Sequence, residues 1–135
     1  MNFIRQSGVL LLIFCLAGCA GTDFKTVVDS PQDTVAKKAL ARWNALMKGD
    51  LDTAYTYLSP GMRSLMTLEQ YKKKIKPSMW KKVSVDSVTC AQDSCDVFIK
   101  MEYGYRKYQS LGPIETQFKE IWLLEDHEWW FVETR

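Results

Sequence analysis

The chain has 135 residues, 47% of them hydrophobic and 25% charged, a globular composition that excludes a disordered or collagen-like polymer. Its formal charge of +2 argues against nucleic acid as the main partner. Five tryptophans, six tyrosines and six phenylalanines can fill the core of one domain, and the length leaves no room for a second.

Met1–Ser7 carries one charge, Arg5, and Gly8–Ala17 is almost wholly apolar. That run is about half of what a spanning helix needs, so it reads as the apolar part of a secretory signal. Leu16-Ala17-Gly18-Cys19 follows directly. These four residues resemble the lipobox of bacterial lipoproteins, which is Leu, a small residue, Gly or Ala, then Cys. Small side chains at Ala17 and Gly18 let the chain lie extended in the peptidase that cuts before the thiol. The resemblance implies that residues 1–18 are removed and that Cys19 carries a diacylglycerol thioether, usually with an added N-acyl chain. A single acyl chain binds a bilayer only marginally, at about 0.8 kcal/mol per buried methylene, whereas two or three chains make a stable anchor. Ala20 stands where an Asp tends to retain lipoproteins at the inner membrane in enteric-type bacteria. The resemblance therefore implies the outer membrane, with the domain facing the periplasm. An ordinary secretory leader with an incidental Cys is the alternative.

Residues 19–30 read as the lipidated Cys and a tether, and residues 31–135 as the domain. Ser30-Pro31-Gln32-Asp33 is a helix start, with Ser30 as N-cap and Pro31 at the first position. Val35, Ala36, Ala39, Leu40, Trp43, Leu46 and Met47 form one stripe at helical spacing, and Gly49 ends it. Asp50 caps a shorter helix bearing Leu51, Ala54, Tyr55 and Leu58, which Ser59-Pro60-Gly61 breaks. Thr67-Leu68-Glu69-Gln70 is a capping-box signature for a third helix, which Pro77 stops.

Beyond Pro77 the apolar period changes to two. A strand runs from Val83 and Val85 to Cys90. A second runs from Cys95, with Val97, Ile99, Met101, Tyr103 and Tyr105 on one face. Lys107–Pro113 reads as a turn. Ile114–Glu125 is a third strand, with Ile114, Phe118, Trp122 and Leu124 on one face. Asp126-His127 is a turn, and Trp129–Thr134 closes the sheet. The predicted fold is α+β, three N-terminal helices on a curved antiparallel four-stranded sheet that curls round the first helix.

With Cys15 in the leader and Cys19 used for lipid, Cys90 and Cys95 remain as an even pair in an oxidising compartment. They bracket a polar hairpin, where facing Cβ atoms stand about 4.5–5.5 Å apart, near disulfide geometry. A structural staple is expected. A redox-active pair is the alternative, without the Cys-x-x-Cys spacing or a helix to depress a thiol.

Trp43-Asn-Ala-Leu-Met-Lys-Gly49-Asp50-Leu51, Ala54-Tyr55 and Leu58-Ser59-Pro60 resemble the nuclear transport factor 2-like superfamily, the cystatin-like α+β cone. Ile121-Trp122-Leu123-Leu124-Glu125-Asp126-His127-Glu128-Trp129-Trp130-Phe131-Val132 resembles its terminal hairpin, whose last strand often begins with Trp. The likeness covers roughly residues 31–135. It implies a conical sheet with a pocket between helices and sheet, and a homodimer through the sheet. It implies no activity, since this fold hosts enzymes and bare scaffolds alike.

Enzymes of the superfamily use an Asp–His pair, or an Asp base with a Tyr/Asp oxyanion hole. Here the one histidine, His127, sits in a Glu-Asp-His-Glu turn, so no catalytic residue is assigned. No metal cluster or cofactor motif is present in the sequence pattern. Ligand-pocket candidates are Tyr103, Tyr105, Glu120 and Trp122. Glu120 breaks the apolar face between Phe118 and Trp122: it is either a desolvated pocket carboxylate with a raised pKa or the mark of a bulge that swaps faces. Tyr103 and Tyr105 line a pocket or are core residues with satisfied hydroxyls. Lys72, Lys73, Lys74, Lys76, Lys81 and Lys82 form either a membrane-surface patch, each adding about 1 kcal/mol on an anionic bilayer, or a solvated helix end. The expected function is a lipid-anchored, non-enzymatic binding or accessory module, its partner a small apolar ligand or an envelope protein. The alternatives are an isomerase- or dehydratase-like enzyme and a structural subunit of an envelope assembly, the last docking through an exposed apolar sheet face at Trp129 or Phe131.

Overall fold

Each helix begins where a side-chain oxygen can replace a missing backbone partner. The computed structural model describes residues 29–76, 80–104 and 112–133. Helix α1 spans Pro31–Lys48, and the Ser30 hydroxyl accepts from the Asp33 N–H at 3.1 Å. Gly49 closes it in the left-handed region at φ 75°, where its own N–H and that of Asp50 donate back to Leu46 and Ala45. A Cβ would strain this backbone, which is why the chain uses glycine there. Helix α2 spans Leu51–Thr56 under the Asp50 cap. Helix α4 spans Leu68–Lys74 and starts with both bonds of the Thr67–Gln70 capping box.

Between them lies α3, Pro60–Leu65, which corrects the expected count of three helices to four. Ser59-Pro60 does not only end α2. Ser59 accepts from the Met62 N–H at 3.2 Å and Pro60 occupies the first helical position, the same start used by Ser30-Pro31.

The sheet is an antiparallel meander in the order β1-β2-β3-β4. Its strands are β1 Trp80–Ala91, β2 Ser94–Tyr103, β3 Ile114–Glu125 and β4 Glu128–Val132. Strand β1 thus starts earlier than the alternation predicted, and β4 begins one residue sooner. Tyr105 and Thr134 lie outside the described residues. An extra residue, Asp86, separates Val85↔Ile99 from Ser87↔Phe98. This bulge keeps Val83, Val85, Val88 and Cys90 on one face although their spacing changes midway. Two-residue turns join β1 to β2 and β3 to β4. Asp126 and His127 both take positive φ, 52° and 65°, the left-handed pair that suits a tight hairpin.

The core forms where α1 packs on the inner face of the sheet. Val35, Ala39 and Leu46 are buried in one apolar cluster with Cys95, Val97 and Ile99, and Trp122 is fully enclosed. Tyr57–Ser59 runs beside the outer edge of β4, trading backbone bonds of 2.8 and 3.0 Å with Phe131. Trp129 and Phe131 are buried, 7% and 8% exposed, so these two residues do not form an outward apolar face. Their outward neighbours are Ile121, Leu123 and Val132, each half-buried.

Candidate functional site

Strand β3 pairs with β2 without a register shift from Ile114 to Leu123. Glu120 therefore shares the inner face with Phe118 and Trp122, and no bulge turns it outward. It is 4% exposed. A carboxylate taken this far from water needs charge and hydrogen bonds in return. Both arrive. Arg42 Nη1 donates to Glu120 Oε1 at 2.8 Å, Trp43 Nε1 donates to the same oxygen at 2.8 Å, and Trp122 Nε1 reaches Oε2 at 3.3 Å.

Arg42, at 5% exposure, is the partner that the apolar stripe of α1 concealed. Its guanidinium lies 3.7 Å from the centre of the Phe131 ring and 5.4 Å from that of Trp43. Trp43 in turn meets Trp80 edge-on at 5.3 Å and Phe118 at 5.6 Å. Trp122 packs against Phe131 at 6.0 Å and Tyr57 at 6.3 Å. The space between α1 and the inner face of the sheet at Glu120 is therefore filled by an ion pair inside an aromatic box. With both oxygens engaged by donors, Glu120 is poorly placed to accept a substrate proton, and Trp122 offers no surface to a ligand.

Tyr71, 3% exposed, is the one buried residue of α4. Burial pushes its phenol above the ordinary value, and the nearby Arg42 charge and hydrogen-bonding reach oppose that rise. Tyr103 is half-buried at the end of β2, opposite Trp80 and Ile114. Tyr105 lies outside the described residues. His127 is exposed in the β3–β4 turn.

The six lysines divide. Lys72 pairs with Asp52 at 2.9 Å, Lys74 with Glu133 at 2.6 Å and Lys82 with Glu102 at 3.3 Å. Lys73, Lys76 and Lys81 are exposed and have no ion pair among the described residues. On the outer face of the sheet, Lys82, Ser84, Lys100, Glu102, Glu115 and Gln117 border a shallow depression of about 370 Å³. It is crossed by surface ion pairs rather than by convergent buried groups. The Cys90–Cys95 disulfide joins directly opposed residues of β1 and β2, with Cα atoms 4.0 Å apart. Cys19 and the segment before Asp29 lie outside the described residues. Among those described, no helix is long and apolar enough to cross a membrane, and no cluster of metal-ligating side chains occurs.

No family model matches the sequence, and no curated protein matches it. Solved structures do. A protein from Campylobacter jejuni named as an NTF2-like transpeptidase superposes with a TM-score of 0.52 at 12% identity, over 73% of this chain and 98% of its own. A SEC-C motif containing protein from Psychrobacter arcticus gives 0.60 at 13% identity, over 79% of this chain and 63% of its own. Another SEC-C motif containing protein, from Rhodopseudomonas palustris, gives 0.51 at 14% identity, over 69% of this chain and 70% of its own. The likeness extends to fold alone: a mixed α+β domain with a four-stranded antiparallel sheet, consistent with the NTF2-like fold.

Proposed function

We propose that this protein is a non-enzymatic binding or accessory module, held by lipid on Cys19 at the outer membrane and facing the periplasm. The observation that carries the non-enzymatic part is the engagement of Glu120. Among the described residues Glu120 is the one buried carboxylate, and it is engaged by Arg42, Trp43 and Trp122. The lipid part rests on Leu16-Ala17-Gly18-Cys19.

A repacking experiment separates this reading from an enzyme. The double variant Arg42→Met/Glu120→Leu removes both charges at similar volume, a change that buried ion pairs often tolerate. A module whose ion pair only builds the body keeps its place and complexes in the envelope. An enzyme using Glu120 loses its activity even when the double variant folds. Native mass spectrometry of the mature protein from membranes checks the anchor: the expected mass includes a diacylglyceryl group on Cys19. An unlipidated mature chain overturns that part.

The structural-subunit reading, including a homodimer through the sheet, finds support in the half-buried Ile121, Leu123 and Val132 on the outward face. Sedimentation of the wild type against Ile121→Lys tests it. A dimer through this face becomes monomeric in the variant.

A further inference from the structure

An open sheet has two outer strands, and the free edge of each offers unpaired backbone groups unless something covers it. Tyr57–Ser59 covers the edge of β4, with backbone bonds of 2.8 and 3.0 Å to Phe131. The edge of β1, 12 residues long, has no such neighbour among the described residues. None of the backbone bonds made outside the helices and strands involves it.

The pairing with β2 shows which groups this leaves open. Cys90 and Cys95 face each other with Cα atoms 4.0 Å apart, the close spacing of an antiparallel pair that exchanges no backbone bonds. The N–H and C=O of Cys90 therefore point away from β2, and by the two-residue period so do those of Val88. The side chains agree. Val83, Val85, Val88 and Cys90 belong to the inner apolar layer yet are only half-buried, whereas Cys95, Val97 and Ile99 on the next strand are fully enclosed. The apolar layer reaches the edge and is cut off there.

Charges and bulges guard such edges against pairing. Lys81, Lys82 and the Asp86 bulge guard the first half of β1. Ser87-Val88-Thr89-Cys90-Ala91 carries no charge and no proline. The charges at either end also select the strand that fits. Lys81 at the start and Asp93 in the turn past the end are both exposed, with no ion pair among the described residues. An antiparallel copy of the same strand lays each basic start beside the other's acidic turn. A parallel copy would set lysine against lysine. Two-fold symmetry between identical chains produces the antiparallel arrangement.

We propose that two copies of this chain pair β1 with β1, antiparallel about a two-fold axis near Val88, and join their sheets edge to edge. The outward backbone groups of Val88 and Cys90 make the new ladder, and Lys81 and Lys82 of each copy lie beside Asp93 of the other. This surface is distinct from the outward face at Ile121, Leu123 and Val132, and it does not depend on the lipid anchor.

The test is sedimentation equilibrium of the mature chain purified from cells, in density-matched detergent, with amide hydrogen exchange read residue by residue. The expected result is a monomer–dimer equilibrium in which the Val88 and Cys90 amides exchange slowly in the dimer and freely in the monomer. Ser87→Lys/Thr89→Lys changes two exposed positions, sets like charges across the axis and weakens the dimer at least about tenfold. Asp93→Lys weakens it as well, and adding Lys81→Glu restores it. A chain that stays monomeric at submillimolar concentration overturns the proposal. So does a monomer whose Val88 and Cys90 amides are already protected, because another part of the chain then covers the edge. A dimer that survives Ser87→Lys/Thr89→Lys but is lost in Ile121→Lys overturns it in favour of the outward face.

Discussion

A carboxylate carried from water into a protein interior loses several kcal/mol of solvation, which a single ion pair recovers only with good geometry and extra hydrogen bonds. Glu120 has both, through Arg42 and two indole N–H groups. Removing one partner strands the other. Glu120→Gln should cost about 3–5 kcal/mol in urea unfolding, since Arg42 stays buried and charged. Arg42→Met/Glu120→Leu should recover most of that loss; equal instability of both variants would show that the donors, not the charge balance, hold the site. The two intruders were visible in the sequence, one on each apolar face. Arg42 stands seven residues after Val35 and four before Leu46, inside the helical stripe, just as Glu120 stands between Phe118 and Trp122. Periodicity places each residue on its face, but it does not say that the two faces bring them together. At the surface, the Thr53 hydrogen bonds hold Asp50 below the ordinary carboxylate value. A group whose folded pKa is depressed stabilises above its unfolded pKa and loses that contribution as pH falls through the folded one. Wild type should therefore exceed Asp50→Asn in stability at pH 7, and the gap should close below about pH 4.

Elements differ in how much of them is buried, and this ranks their stability. Helix α3 buries no residue and α4 only Tyr71, whereas α1 buries six and β2 alternates fully enclosed side chains. Local opening follows burial. Amide exchange should release α3 and α4 first and the centres of α1, β2 and β3 last; equal protection of α4 and α1 would refute the ranking. The Cys90–Cys95 staple closes a very short loop, so chain entropy gives it only about 2 kcal/mol. Cys90→Ala/Cys95→Ala should lower stability by about that amount without loss of fold, as read from the urea midpoint. The alternation of β2 and the caps of α1, α2 and α4 were legible because each rests on a local rule. Helix α3 was missed because Ser59-Pro60 has two meanings, a stop for one helix and a cap for the next. The extra residue at Asp86 left only a shift from Val85 to Val88, which a short apolar run also produces.

On the scale of the whole molecule, α1 carries the chain from one end of the sheet to the other. Lys38, in its first half, reaches Glu128 and Trp129 beside the β3–β4 turn, while Trp43, in its second half, reaches Trp80 at the start of β1. The start of α1 therefore lies on the hairpin-turn side of the body, and Lys81 and Lys82 lie at the far end of β1. Adhesion through the lysines can be bounded. Lys73, Lys76 and Lys81 are the members of the run without an ion pair among the described residues, and each adds about 1 kcal/mol at an anionic surface. Roughly 3 kcal/mol corresponds to dissociation at millimolar concentrations or weaker. Lysines alone then cannot keep the body on a bilayer, whereas two or three acyl chains can. Cys19→Ser should leave the membrane pellet for the soluble fraction at physiological salt. Lys73→Gln/Lys76→Gln/Lys81→Gln should stay with the pellet as fully as wild type. A Cys19→Ser chain that remains on membranes through a high-salt wash would mean that a protein partner holds it in place of lipid.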